Sequence, residues 1–277
     1  MKNKHIVCII AALMLPFAFA GCAQNGAAPP PVEDEIVSPE VPAPPLPEPP
    51  AEELPPAEEI VPEEPPVVKK IKYIKVTGDG VNIRSGPGSG YKSLGAAERN
   101  TLYALEGVSG NWYKTYYKGS AAYIYKDYCV PVEFEAGGDM TEAVIAEGAK
   151  HMGVKYVYGA TRYHNGKGVY LSGFSTQAFD CSSLMQYIFK VAANVNLQVT
   201  TRTQVVQGEA VTNGLKRGDL MFFTNAARKN KTGVERIGHV AMYLGDNYIL
   251  HTASDYAKIE QISSTRWGYY IQARRMV

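Results

Sequence analysis

Phe179-Asp180-Cys181-Ser182-Ser183-Leu184 is the stretch on which the reading of this chain turns. Asp180 has the side chain of a good helix N-cap. An apolar stripe at helical spacing follows it, at Leu184, Ile188 and Val191. Cys181 therefore falls in the first turn of a helix. Unpaired backbone N–H groups and the positive end of the helix dipole favour a thiolate there. The same N–H groups can later receive an oxyanion. A thiolate nucleophile also needs a base that protonates the leaving amine. A lone cysteine is equally the most ordinary of small buried residues, so its company has to decide.

That company is a pair of histidines. His239 sits in Ile237-Gly238-His239-Val240-Ala241-Met242-Tyr243-Leu244-Gly245, a strand-like run. His251 follows the turn residues Asp246-Asn247 and the run Tyr248-Ile249-Leu250. Two runs joined by so short a turn pair as a hairpin, which brings His239 and His251 near each other. One imidazole can then act as base while the other fixes its tautomer. The same three side chains would also make a partial zinc set. No acidic partner and no Cys-x-x-Cys accompanies them, so neither a metal nor another cofactor is expected.

The N-terminus reads as an export signal over residues 1–21. Lys2, Lys4 and His5 form a basic start, Ile6 to Ala20 an apolar stretch, and Phe19-Ala20-Gly21-Cys22 a small-residue close. The apolar run of about 15 residues falls short of a membrane span. Small residues directly before a cysteine resemble a lipobox, which makes Cys22 the expected lipidation site and membrane anchor. Cys8 leaves with the signal, so of the four cysteines only Cys129 and Cys181 remain in the globular part. Two such cysteines do not make a disulfide framework; one buried thiol and one used thiol are expected.

Residues 22–68 continue as a linker. Positions 29–68 hold 15 prolines, a composition that cannot bury a core and favours an extended chain. Forty-odd such residues reach on the order of 100 Å. Residues 25–68 carry eleven acidic and no basic side chains, whereas 69–277 carry 26 basic and 16 acidic ones, a net of +10. A basic globular part suits a polyanionic surrounding such as nucleic acid or cell-wall polymer. No zinc-finger spacing, aromatic RNA-binding motif or Lys/Arg-dense helix is present, so nucleic acid is not an expected partner. Nothing in the sequence signals an obligate protein partner.

Residues 69–131 read as a small all-β unit of five or six strands, from Tyr73-Ile74-Lys75-Val76 to Ala121–Tyr125, punctuated by Ser85-Gly86-Pro87-Gly88-Ser89-Gly90. Residues 132–138 form a hinge with Gly137-Gly138. Residues 138–277 then give a helix from Met140 to Met152, capped by Thr141, a second helix after Cys181, and strands at Asp219–Thr224, Gly238–Leu244 and Tyr248–His251. Helices followed by strands indicate an α+β domain.

Two resemblances add to this. Gly80-Val81-Asn82-Ile83-Arg84-Ser85-Gly86-Pro87, followed by Asn111-Trp112-Tyr113-Lys114, resembles a bacterial SH3-type domain. That family implies wall-polymer binding, or shaping one side of a neighbouring active site. Further on, five motifs occur in order: Asp180-Cys181-Ser182-Ser183, Thr201-Arg202-Thr203-Gln204, Lys216-Arg217-Gly218-Asp219-Leu220, Gly238–Gly245 and His251-Thr252-Ala253. This set is similar to the NlpC/p60-type cell-wall peptidases, a papain-like family. The resemblance implies Cys181 as nucleophile, His239 as general base and acid, and His251 as the orienting third residue. It implies Tyr156, Asp180, Ser182 and Arg202 as substrate or oxyanion contacts, and peptidoglycan stem peptides, cut after γ-D-glutamate, as substrate. Tyr158-Gly159-Ala160 departs from the family's Trp-Gly-Gly, and Ser183 stands where the family often has Gly. Residues 161–179, with Arg162, His164, Lys167 and Tyr170, form an insertion expected to edge the substrate groove. A non-catalytic wall-binding lipoprotein, or an amidase or acyltransferase on the same fold, are the alternatives.

Overall fold

The protein is described from a computed structural model over residues 68–277. The expected signal segment, Cys22 and the proline-rich linker lie outside the described residues.

Eight strands build the first part: β1 (Lys70–Val76), β2 (Val81–Arg84), β3 (Ser93–Ala97), β4 (Leu102–Ala104), β5 (Gly107–Ser109), β6 (Trp112–Tyr117), β7 (Ser120–Tyr125) and β8 (Cys129–Glu135). They form two sheets, in the orders β4-β1-β8 and β3-β2-β7-β6-β5. Alternation places the core: Val81 and Ile83 point inward in β2 while Asn82 and Arg84 face out. Ile74, Leu102, Ala122 and Ile124 complete that core. The strand count exceeds expectation because Ser93-Leu94-Gly95-Ala96-Ala97 and Gly107-Val108-Ser109 carry no alternating signal. β8 pairs with β1 as far as Lys70↔Glu135. The unit therefore continues past 131. Pro131 does not stop it, because β8 is an edge strand in its sheet.

The second part is α+β. Its elements are α1 (Asp139–Lys150), β9 (Lys155–Tyr156), β10 (Ala178–Phe179), α2 (Cys181–Ala193), α3 (Thr201–Gln204), β11 (Glu209–Ala210), β12 (Leu220–Phe223), β13 (His239–Gly245), β14 (Tyr248–Ala253), β15 (Tyr256–Gln261), α4 (Ser264–Gly268) and β16 (Tyr270–Arg275). One sheet runs β10-β9-β15-β14-β13-β12-β16-β11. α1 and α2 pack together, and α2 lies on β13 and β14. Leu184, Ile188 and Phe189 of α2 are fully buried, each contributing about 1.5–3 kcal/mol of apolar burial. Val191 faces solvent instead. β12 is buried on both faces: Leu220 and Phe222 join the helix side, and Met221 and Phe223 the opposite side.

Gly138, not Thr141, is the N-cap of α1. Thr141 lies inside the first turn, and its methyl fills the space beside Gly218, where a Cβ would stand 2.4 Å away. No side chain caps the helix start; Glu142 Oε1 instead accepts at 2.7 Å from the N–H of Gly137, the residue before the cap.

The two parts are packed against each other. Arg217, nearly buried, donates to Glu142 Oε1 at 2.6 Å, to the Leu244 carbonyl at 2.7 Å and to Tyr73 Oη at 2.9 Å. The N–H groups of Lys118 and Gly119 bond the carbonyls of Met152 and Lys150, each at 2.8 Å. Gly153 permits this approach: its φ is +82°, and a Cβ there would stand 2.1 Å from the Tyr117 ring.

Candidate active site

Asp180 organises the site from below. It is extended (φ −99°, ψ 175°) and caps α2 in a reciprocal box: Ser183 N–H donates to Asp180 Oδ1 at 2.8 Å, and Asp180 N–H donates to Ser183 Oγ at 2.9 Å. Ser182 Oγ also donates to Oδ1, at 3.0 Å. The other oxygen, Oδ2, accepts from Gly159 N–H at 3.1 Å and from Arg162 Nη1 at 2.9 Å. Four donors therefore occupy the carboxylate. Asp180 and Ser182 are buried supports of the helix start, with both side chains bonded inside the protein. Ser183, where the family often has Gly, is the second half of the cap.

Cys181 is the first residue of α2 and is almost fully buried. Burial pushes its thiol up to about 12, with the Asp180 charge adding to the push. The N–H groups of Val240 and Ser182 and the charge of Arg162 pull the other way. The expectation that a helix start by itself favours thiolate is thus outweighed by desolvation. Cys129 is likewise a free, buried cysteine, and burial alone pushes its thiol up to about 12.

The hairpin forms as the sequence indicates. β13 and β14 pair antiparallel around Asp246 and Asn247, both with positive φ. His239 and His251 lie at the end of the hairpin far from that turn. His239 Nε2 stands 3.0 Å from His251 Nδ1, and His251 Nε2 stands 2.9 Å from Glu260 Oε1 on β15. Arg266 Nη2 closes the chain, 3.2 Å from the same oxygen. An ionised carboxylate only accepts, so His251 carries its proton on Nε2. Its Nδ1 must then accept from His239 Nε2–H, which leaves His239 Nδ1 as the free base. Burial, then the charges of His251 and Arg266, push His239 well below the usual imidazole range. Burial also lowers His251, against the pull of Glu260. Burial would raise Glu260, but the His251 hydrogen bond and nearby cations hold it down to about 2.

Cys181 lies where two cavities meet. One, of about 340 Å³, is lined by Tyr156, Cys181, His239, Thr224, Arg266 and neighbours. The other, of about 410 Å³, is lined by Tyr156, Tyr158, Cys181, Arg162, Arg202 and Arg228 among others. Tyr156 borders both. Burial and the neighbouring Cys181 and Asp180 raise its hydroxyl, so it stays a donor at neutral pH. Arg202 and Arg228 both pair with Glu235, at 3.2 and 3.1 Å. No residue of 68–135 lines either cavity. Of the insertion, Arg162 lines the second cavity, whereas Lys167 and Tyr170 line neither and His164 is fully buried. Among the described residues, no cluster of three or more His, Cys, Asp or Glu is placed to hold a metal.

Glu260 and Arg266 carry no sequence signal. Tyr256-Ala257-Lys258-Ile259-Glu260 reads as an ordinary alternating strand, and only its pairing with β14 (Ile249↔Glu260) brings Glu260 to His251. Arg162 is expected at the groove edge, but its bond to Asp180 carries no sequence signal because the two are 18 residues apart across the insertion.

Residues 153–276 match the NlpC/P60 family and residues 79–129 the bacterial SH3 domain. The gamma-DL-glutamyl hydrolase of Bacillus subtilis (strain 168) is 32% identical over 126 residues, 45% of this chain and 26% of that protein. The peptidoglycan DL-endopeptidase CwlO of Bacillus licheniformis is 30% identical over 135 residues, 48% of this chain and 27% of that protein. The chain thus spans about a quarter of the length of these curated relatives. The crystal structure of an NlpC/P60 family protein from Bacillus cereus ATCC 10987 is 23% identical. It covers 74% of this chain and 63% of its own, with a TM-score of 0.40.

Proposed function

We propose that this chain, which contains an NlpC/P60 domain and a bacterial SH3 domain, is a peptidoglycan hydrolase: a cysteine endopeptidase that cuts stem peptides after γ-D-glutamate. The observation that carries this is the shared cavity of Cys181 and His239, with His251 and Glu260 in line behind the histidine. The hydrolase and endopeptidase names of the curated relatives support the substrate class.

In the resting site the thiol and the imidazole are both neutral. Nδ1 of His239 takes the thiol proton as the sulfur attacks the peptide carbonyl carbon. Positive charge on His239 is stabilised through His251 by Glu260. The oxyanion receives N–H groups at the start of α2 and the Tyr156 hydroxyl. His239 then gives its proton to the leaving amine, and the C–N bond breaks to leave a thioester on Cys181. Water, deprotonated by His239, hydrolyses the thioester and regenerates the thiol.

The SH3-type unit is proposed to hold wall polymer, and a lipid on Cys22 to hold the exported protein at the membrane. Purified Cys181→Ala protein should release no stem fragments from isolated sacculi that wild type digests. Fragment release by that variant at the wild-type rate would remove the assignment.

A further inference from the structure

Four residues border both cavities that meet at Cys181: Tyr156, Cys181 itself, Asn225 and Gly238. A stem peptide running from one cavity to the other passes all four. Tyr156 and Asn225 stand on opposite walls of that passage. Tyr156 is the last residue of β9, and Asn225 follows the end of β12; β15, β14 and β13 lie between those two strands. Cys181 and Tyr156 already have parts in the reaction proposed above, and Asn225 has none.

The backbone around Asn225 is held on both sides. Phe223 pairs with His239 across β12 and β13, and the Gly238 N–H donates to the Phe223 carbonyl at 2.8 Å. The Thr224 N–H donates to the Tyr269 carbonyl at 2.8 Å, and the Asn225 carbonyl accepts from the N–H groups of Arg228 and Lys229 at 3.0 and 2.9 Å. The side chain is tied less. Its Oδ1 is buried and has no partner among the described residues, so the amide does not serve the fold as a buried structural asparagine does. With Oδ1 as the buried end, the half-buried side chain meets the passage with Nδ2. Nδ2 lies over Gly238, where a Cβ would stand 2.3 Å from it. Gly238 has no positive φ, so this glycine supplies room for the amide rather than a turn.

We propose that Asn225 binds the main chain of the substrate, its Nδ2 donating to the carbonyl one residue beyond the cut bond. In the proposed reaction the carbonyl under attack turns towards the α2 start and Tyr156. Successive carbonyls of an extended chain point to opposite sides, so the next one turns towards Asn225. A donor on each wall then holds the chain across Cys181. A main-chain contact reads no side chain, so it serves any stem whose backbone continues past the cut. The bond is made before and during the attack alike, so it lowers KM and leaves kcat nearly unchanged. The inference rests on the endopeptidase reading above.

The test uses a stem tetrapeptide, L-alanyl-γ-D-glutamyl-L-lysyl-D-alanine or its meso-diaminopimelate counterpart, and the alkene isostere of the one that is cleaved. In the isostere the peptide unit one residue beyond the cut bond is a trans double bond, so that carbonyl is gone. On the tetrapeptide, Asn225→Ala and Asn225→Asp should each raise KM about five- to tenfold, with kcat within about twofold of wild type. The aspartate keeps the acceptor and loses the donor. On the isostere both variants should match wild type. Gly238→Ala, whose methyl displaces the amide, should reproduce Asn225→Ala, and the double variant should lose nothing further. A wild-type KM in Asn225→Ala or in Asn225→Asp, an equal loss on both substrates, or losses that add in the double variant would overturn the inference and leave the endopeptidase reading standing. Wild type that cleaves neither tetrapeptide would overturn both.

Discussion

His251 accepts with Nδ1 from His239 at 3.0 Å and donates with Nε2 to Glu260 at 2.9 Å. This fixes the tautomer of both rings, because Glu260, held down to about 2, can only accept. In the proposed reaction the base is thereby set by a residue on a third strand.

Glu260→Gln makes the tautomer of His251 ambiguous, since an amide can also donate. The expected result is a fall in kcat on the order of 10- to 100-fold with KM little changed. Histidine 15N spectra of wild type should show one tautomer per ring. A mixture in wild type, or full kcat in Glu260→Gln, would contradict this positioning role.

The pH profile follows from His239. Cleavage needs its neutral form, and burial with His251 and Arg266 keeps its pKa well below 6.5. The kcat/KM of wild type should therefore stay level as pH falls through 6.5, with the acid limb at lower pH. A half-loss at or above pH 6.5 would contradict a buried, neutral base.

The thiol gives a spectroscopic counterpart. With Cys181 pushed up to about 12, the free protein should show no thiolate absorbance at 240 nm at pH 7 relative to Cys181→Ala. Alkylation by iodoacetamide should speed up towards alkaline pH without a plateau near 8.5.

Much of this site is legible in the residues themselves. Asp180 as a cap, Leu184 and Ile188 of the α2 stripe and the Asp246-Asn247 turn are local signals, and local physics carries them into the structure unchanged. The parts that are not legible depend on distance. Arg162 reaches Asp180 across an insertion, Glu260 reaches His251 through strand pairing, and β8 runs past Pro131 because its neighbour lies on one side only. The upward push on the Cys181 thiol has a related origin. A helix start is visible in sequence, whereas the packing that desolvates it is not.

Arg217 tests how firmly the two parts are joined. It bonds Glu142, Tyr73 and the Leu244 carbonyl, and its side chain is nearly buried. Arg217→Ala leaves the Glu142 carboxylate without its cation and should cost about 3–5 kcal/mol of unfolding free energy. Calorimetry should record one cooperative transition for residues 68–277 in wild type and a lower Tm in the variant. An unchanged Tm would show that the contact contributes nothing.

Glu147 gives a stability dependence with a definite sign. The His151 hydrogen bond, helped by Lys150, holds its carboxyl down to about 2 against burial. A depressed carboxyl contributes stability that is present above its unfolded value near 4.5 and is lost as pH falls towards 2. Glu147→Gln should destabilise by roughly 1–2 kcal/mol at pH 7. The gap between wild type and variant in denaturant titrations should shrink between pH 4.5 and 2.

The most direct measurement on the central assignment is a rapid-quench mass spectrum of the protein mixed with a defined stem peptide. Expected is an adduct on the peptide containing Cys181, with the mass of the acyl fragment ending in D-glutamate, that decays as product appears and is absent from Cys181→Ala. Product formed without that adduct, and at the same rate in Cys181→Ala, would contradict Cys181 as the nucleophile.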